Sequence, residues 1–186
     1  MHAKRIRMIN RLLVIFFLVV LNAVCSIPLV GAAELMYSNF SVDIPQGWRK
    51  VNTSKYLMIT KDGPFLQYVL IQRRPIDRQF KHTKKKLKSG MLPRDVAGII
   101  IDEIAADHHI QDFKVTENAP ATINGHDGFK LLFSYKVKKG SAFQTLYYGF
   151  IDGKSFYNLR YNAVKPHYYE KDIKTFERIL YSFKLL

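Results

Sequence analysis

Cysteine is almost missing from this sequence: its 186 residues include one, Cys25. A single thiol excludes a disulfide-stapled fold and any multi-Cys zinc site within the chain. Acidic side chains are also scarce, 15 Asp and Glu against 29 Lys and Arg, which leaves a formal net charge of +14. There is no P-loop, no dinucleotide-binding glycine pattern, no HExxH and no GxSxG, so no recognised catalytic signature is present. A long apolar run occurs only near the start. What the chain does have is 48% hydrophobic and 13% aromatic residues, which excludes a disordered or collagen-like polymer.

The first 33 residues read as an address. Lys4, Arg5, Arg7 and Arg11 stand without an acid, Leu12 to Leu21 is unbroken apolar sequence, and Gly31-Ala32-Ala33 supplies small residues before Glu34. A basic start, a short apolar core and a small-residue exit describe a secretory signal peptide cleaved after Ala33. Two rival readings exist. Residues 12–33 are uncharged and long enough to span a bilayer as an uncleaved anchor, though Pro28 interrupts them. Cys25 could carry a lipid, but Asn22 and Val24 occupy the positions where a lipobox wants Leu and a small residue. The expectation is an exported protein, periplasmic or envelope-associated. Its mature part, 34–186, would be one domain that lacks cysteine and must rely on its core.

Hydrophobic periodicity supplies the elements. Phe40, Val42 and Ile44 alternate with polar residues, Tyr56 to Thr60 is a second short strand, and Phe65 to Ile71 is apolar on both faces except at Gln67, as a central strand would be. Val96, Ile99, Ile100 and Ile104 give a helix over 93–109, with Pro93 in its first turn. A short strand follows at Phe113–Glu117. A meander then runs through Phe129–Val137, Phe143–Ile151 and Ser155–Ala163, turning at Lys138-Lys139-Gly140-Ser141 and Asp152-Gly153. Tyr169, Ile173, Phe176, Leu180 and Phe183 mark a closing helix. The order β-β-β-α-β-β-β-β-α predicts an α+β fold: a single antiparallel sheet of about six to seven strands with helices packed against it.

The opening F-S-V-D-I-P-Q-G-W (Phe40–Trp48), the A-T-I-N-G-H-D-G-F segment (Ala121–Phe129), the aromatic meander and the closing helix resemble the Mog1/PsbP-like superfamily, which includes PsbP-like and DcrB-type exported bacterial proteins. The resemblance implies a sheet sandwiched by helices and a binding or assembly role. It carries over no catalytic residue and no cofactor.

Metal ligation finds little support in the pattern. His108-His109 follows Glu103 and Asp107 on the predicted helix, but adjacent histidines point in different directions there. No cofactor, metal or catalytic group is expected. The abundant meander aromatics read as cross-strand pairs that stabilise a sheet. An alternative reading builds a small-ligand or enzymatic site from scattered residues such as Tyr147, Tyr157 and Arg160.

One stretch stands out by charge. Between Gln72 and Arg94 lie Arg73, Arg74, Arg78, Lys81, Lys84, Lys85, Lys86, Lys88 and Arg94, opposed only by Asp77. Most of the mature chain's excess positive charge is therefore in one connection, expected as a loop over 72–94 with Phe80 and Leu87 pinning it. A connection that long is commonly functional. The cations from Arg73 to Lys88 are the candidate anion-binding residues. In an exported protein their partner would be anionic lipid headgroups, an acidic polysaccharide or an acidic protein, and not nucleic acid.

Overall fold

A computed structural model of the chain describes residues 33–37, 39–51, 53–137 and 140–186. The expected signal segment, apart from Ala33, lies outside the described residues, as do Lys138 and Lys139 of one expected turn. Among the described residues no helix is long and apolar enough to cross a membrane.

Ten strands and two helices make up the described chain. The strands are β1 (Ala33–Tyr37), β2 (Phe40–Ile44), β3 (Arg49–Val51), β4 (Leu57–Thr60), β5 (Gln67–Pro75), β6 (Ile110–Ile123), β7 (His126–Val137), β8 (Ala142–Asp152), β9 (Ser155–Val164) and β10 (Lys184–Leu185). Helix α1 covers Pro93–Ala105 and helix α2 covers His167–Ser182. A seven-stranded antiparallel sheet has the order β3-β4-β5-β9-β8-β7-β6, which is the expected α+β architecture. The sequence pattern did not anticipate a second sheet, β1-β2-β10, in which β2 is the middle strand.

The large sheet is buried on both faces. One face packs on α2 and the small sheet through Phe40, Val42, Leu159, Tyr161, Phe176 and Phe183. The other packs on α1 and the basic connection through Val96, Ile100, Leu87, Leu131, Phe133 and Phe156. Central β9 shows why both cores exist. Strand alternation sends Tyr157, Leu159 and Tyr161 to the α2 side and Phe156 to the α1 side. The meander aromatics do pair across strands: Phe150 stacks on its register partner Tyr157 at 5.2 Å, and Tyr135 on Phe143 at 5.5 Å. Such pairs stabilise the sheet directly.

Two boundaries bear on the site. β5 runs four residues beyond the expected end at Ile71, so Gln72 to Pro75 belong to the sheet. Helix α1 ends at Ala105, four residues short of its expected end.

Candidate functional site: the basic loop and the cleft beneath it

The loop proper is residues 76–92, shorter than the expected 72–94 because β5 takes its start and α1 takes Pro93 and Arg94. It is fastened to the body of the domain. Ile76, Phe80 and Leu87 are buried in the α1-side core. The Phe80 N–H donates to the Lys85 carbonyl at 2.9 Å, and the Leu87 N–H donates to the Ile76 carbonyl at 3.0 Å. Glu103 of α1 accepts from the backbone N–H groups of His82 and Thr83 and from the Thr83 hydroxyl, at 2.9 to 3.2 Å. Burial works to raise the Glu103 pKa, but these donors outweigh it and hold the pKa below its ordinary value. Lys84 has φ = +58°, a left-handed turn position, at the tip of this anchored segment.

The sequence candidates separate into two sets. Arg78, Lys81, Lys84, Lys85, Lys86 and Lys88 are exposed. Of these six only Lys85 forms an ion pair among the described residues, with Asp102 at 2.6 Å. Arg73 is exposed on β5 and donates from Nε to the Ser155 hydroxyl at 2.9 Å. Arg74 stands on β5 and not in the loop, and it is only partly exposed. Alternation along β5 turns it inward, where its guanidinium carbon sits 3.8 Å from the centroid of the Phe80 ring. Its Nη2 donates to the Arg78 carbonyl.

Arg74 lines a cavity of about 120 Å³ between the sheet, α1 and the loop. The strand register assembles its floor: Gln72 of β5 pairs with Asn158 of β9, and Tyr147 of β8 lies directly opposite Arg160 of β9. Phe80, Ile100, Ile104 and Phe156 supply apolar wall. The Nε–H groups of both Arg74 and Arg160 are shielded from solvent and have no hydrogen-bond partner among the described residues. Burial is the main cause of a lowered Arg74 pKa. Burial also pushes the Tyr147 pKa up, against the opposing pull of Arg160 and Arg74, so its hydroxyl remains a protonated donor. The structure thus joins Arg74 with Tyr147 and Arg160, which sequence reasoning had assigned to rival sites. Tyr157 is not part of this group. It faces the other core, where its hydroxyl accepts a 2.6 Å hydrogen bond from Asn39.

Larger hollows lie toward the other end of α1, one of about 390 Å³ lined by Leu92, Asn118, Pro120 and Phe129. Arg94 is its one charged lining residue, and it is exposed and pairs with Asp95 at 3.7 Å. The smaller cleft is where buried unpartnered charge collects.

Past α1, a side-chain group forms that the sequence pattern did not show. His82 from the loop, Asp107 and His108 bring ligand-type atoms within 4.8 Å of one another. Sequence reasoning placed Asp107 and His108 on a helix, but the helix has already ended, and the third member comes from the loop. These residues could hold a cation, although Asp107 is already engaged. Its carboxylate accepts from the His109 N–H at 3.0 Å, contacts the His109 ring at 2.9 Å and lies 3.6 Å from His82 Nε2. Burial would raise the Asp107 pKa, and those contacts instead leave it lowered. The arrangement works as a second clasp between loop and helix end.

No protein-family profile matches the chain, and no curated protein matches it. Solved structures do. The cyanobacterial PsbP (CyanoP) of Synechocystis superposes with a TM-score of 0.62 over 87% of this chain and 96% of that one, at 10% identity. LpqN of Mycobacterium tuberculosis, described as involved in cell envelope biogenesis, gives 0.55 over 87% of each chain at 13% identity. The Ran-binding protein Mog1p of Saccharomyces cerevisiae gives 0.55 over 84% of this chain and 96% of that one, at 6% identity. At these identities the likeness concerns the fold, and the fold is the Mog1/PsbP-like one that the sequence motifs resemble.

Proposed function

We propose that this domain of Mog1/PsbP-like fold is an exported, non-enzymatic protein of the cell envelope that binds an anionic surface through its basic loop. One observation carries the reading. Arg78, Lys81, Lys84, Lys86 and Lys88 are exposed without an ion pair among the described residues, on a loop whose Ile76, Phe80 and Leu87 side chains are buried and whose backbone is tied to Glu103. A merely solubilising loop needs no such anchoring. A fastened loop presents its charges as one platform and loses less conformational entropy on binding. An LpqN structure of the same fold comes from a protein involved in cell envelope biogenesis, which is compatible with this compartment.

Anionic lipid headgroups fit the platform best, because dispersed surface lysines attract a charged plane without needing shape complementarity. Each basic residue near such a surface contributes about 1 kcal/mol, and the attraction decays within a Debye length. The test is co-sedimentation with phosphatidylglycerol-containing vesicles against phosphatidylcholine vesicles. Binding should require the anionic lipid, weaken steeply with salt and be lost when Lys84, Lys85 and Lys86 are all changed to Glu. Unchanged binding by that triple variant overturns the assignment.

A further inference from the structure

We infer that the cleft between β5, β8, β9 and α1 is a binding site for a short-chain monocarboxylate, its carboxylate held by Arg74, Arg160 and Tyr147. This site is separate from the lysine platform and goes beyond the proposed surface role.

The argument starts from hydrogen-bond accounting. A buried donor without an acceptor is costly, and folded proteins leave few of them. Here two are guanidinium Nε–H groups, one from Arg74 and one from Arg160, lining the same cavity. The buried Nε–H of Arg160 has no hydrogen-bond partner among the described residues, and Tyr147 lies directly opposite Arg160 in the strand register. Tyr147 is itself buried and its raised pKa keeps it a donor. Both unsatisfied groups in this cavity are donors, so the missing partner is an acceptor, and guanidinium groups favour an anion.

The lining also selects the kind of anion. Arg74 and Arg160 each contribute one positive charge, and Glu103, the one acid in the lining, contributes one negative. The balance is a single positive charge, which matches a monoanion better than a phosphate dianion. Glu103 is not that acceptor in this structure: its oxygens take the donors of His82 and Thr83, and neither Nε–H reaches them. About 120 Å³ of space corresponds to roughly four water molecules, enough for an anion of a few carbon atoms. Phe80, Ile100, Ile104 and Phe156 offer apolar wall to the body of such a ligand. A fully hydrated anion such as phosphate or sulfate gains nothing from that wall, whereas propionate or butyrate does. The guanidinium of Arg74 is already positioned, stacked on Phe80 and tethered to the Arg78 carbonyl, so little ordering is needed on binding.

The experiment is titration calorimetry of the full domain with propionate and butyrate, paired with thermal unfolding in the same ligands. Butyramide, a neutral isostere, and phosphate are the comparison probes. Butyrate should bind with a Kd of about 1 mM or tighter and raise the Tm, while butyramide and phosphate do neither. Arg160→Met should weaken butyrate at least about tenfold, since it removes a charge-assisted donor. Tyr147→Phe, which deletes one oxygen and preserves the packing, should weaken it about three- to tenfold and keeps the test valid if the arginine variant folds poorly. The Lys84, Lys85 and Lys86 triple Glu variant should bind butyrate as the parent does even if it no longer binds vesicles. The inference is overturned if butyrate gives neither heat nor a Tm rise, if phosphate or butyramide binds as well, or if Arg160→Met and Tyr147→Phe both leave affinity unchanged.

Discussion

Thr83 gives Glu103 two hydrogen bonds at 2.9 Å, one from its backbone N–H and one from its hydroxyl. With the bond from His82, this ties the basic loop to the side of α1 over a sequence separation of some 20 residues. Replacing Glu103 by Ala should cost about 1–3 kcal/mol, because the N–H groups of His82 and Thr83 lose their acceptor. Urea unfolding measures the loss. Hydrogen exchange at His82 and Thr83 should rise well above that of the sheet, and equal protection in the variant would contradict the anchoring.

The same carboxylate makes stability depend on pH. Glu103 titrates below its ordinary value of 4.5 in the folded domain, and Asp107 below 3.8. A depressed carboxylate pKa means that the unfolded chain takes up protons first as pH falls. Stability from these two acids is therefore complete above the ordinary values and is lost as pH drops through the lower folded ones. Asp62 adds to the trend, held down chiefly by its hydrogen bond from Lys171 of α2. Unfolding midpoints measured between neutral pH and about pH 3 should fall, and Glu103→Gln should flatten the acidic part of that curve.

Lys85 and Asp102 are closer still, at 2.6 Å, yet half of each side chain is in solvent. Exposed pairs of this kind contribute little. Asp102→Asn should change stability by less than about 1 kcal/mol, and that small change should vanish in high salt. A larger effect would mean that the loop's attachment rests on charge pairing more than on Glu103 and the buried Phe80 and Leu87.

Gly149 of β8 lies beneath aromatic rings on the α1 side. A Cβ at this position would come within 2.7 Å of Phe129 Cζ and 2.9 Å of Phe156 Cζ. Both rings are buried and stack on one another. Gly149→Ala should therefore destabilise by about 1–3 kcal/mol through overpacking, read as a lower denaturation midpoint. A neutral result would show that the two rings can slide apart.

On the opposite side, Phe176 is fully buried between α2 and the sheet, 5.8 Å from the Tyr161 ring. Phe176→Ala should cost about 3–5 kcal/mol. Tyr181, on the same helix but 86% exposed, is its control: Tyr181→Ala should stay within about 0.5 kcal/mol of the parent.

Much of the fold is legible in the sequence because its long strands alternate cleanly and its last helix carries one apolar stripe. The pattern predicts only a short strand at Phe113–Glu117, where β6 has 14 residues. It is the edge of the large sheet, its half-buried positions include Glu117, Ala119 and Ala121, and the exposed Pro120 is tolerated where no inner partner needs an N–H. β10 has only two residues and exists because β2 accepts it, which local sequence cannot show. The candidate site was half legible. Local charge density marks the lysines, which stand exposed in solvent. Arg74 and Arg160 meet only through the β5–β9 register, and the change from loop to strand after Ile71 decides which way Arg74 points. His82 was invisible as a companion of Asp107 for the same reason: long-range placement leaves no periodic trace.

β2 sits between β1 and β10, with Ser41 opposite Lys184 and the Leu186 N–H donating to the Asn39 carbonyl at 3.2 Å. Closing a loop of that span is entropically expensive, and local hairpins such as β7–β8–β9 have no comparable barrier. Of the small sheet's two pairings, β1–β2 is a local hairpin and β2–β10 alone joins distant parts of the chain, so the latter is expected to close after the hairpins. While it is open, Phe40 and Phe183, which pack ring to ring at 5.5 Å, are uncovered together. Any state of the chain that lacks this pairing would present the two rings to proteases and to other copies of itself.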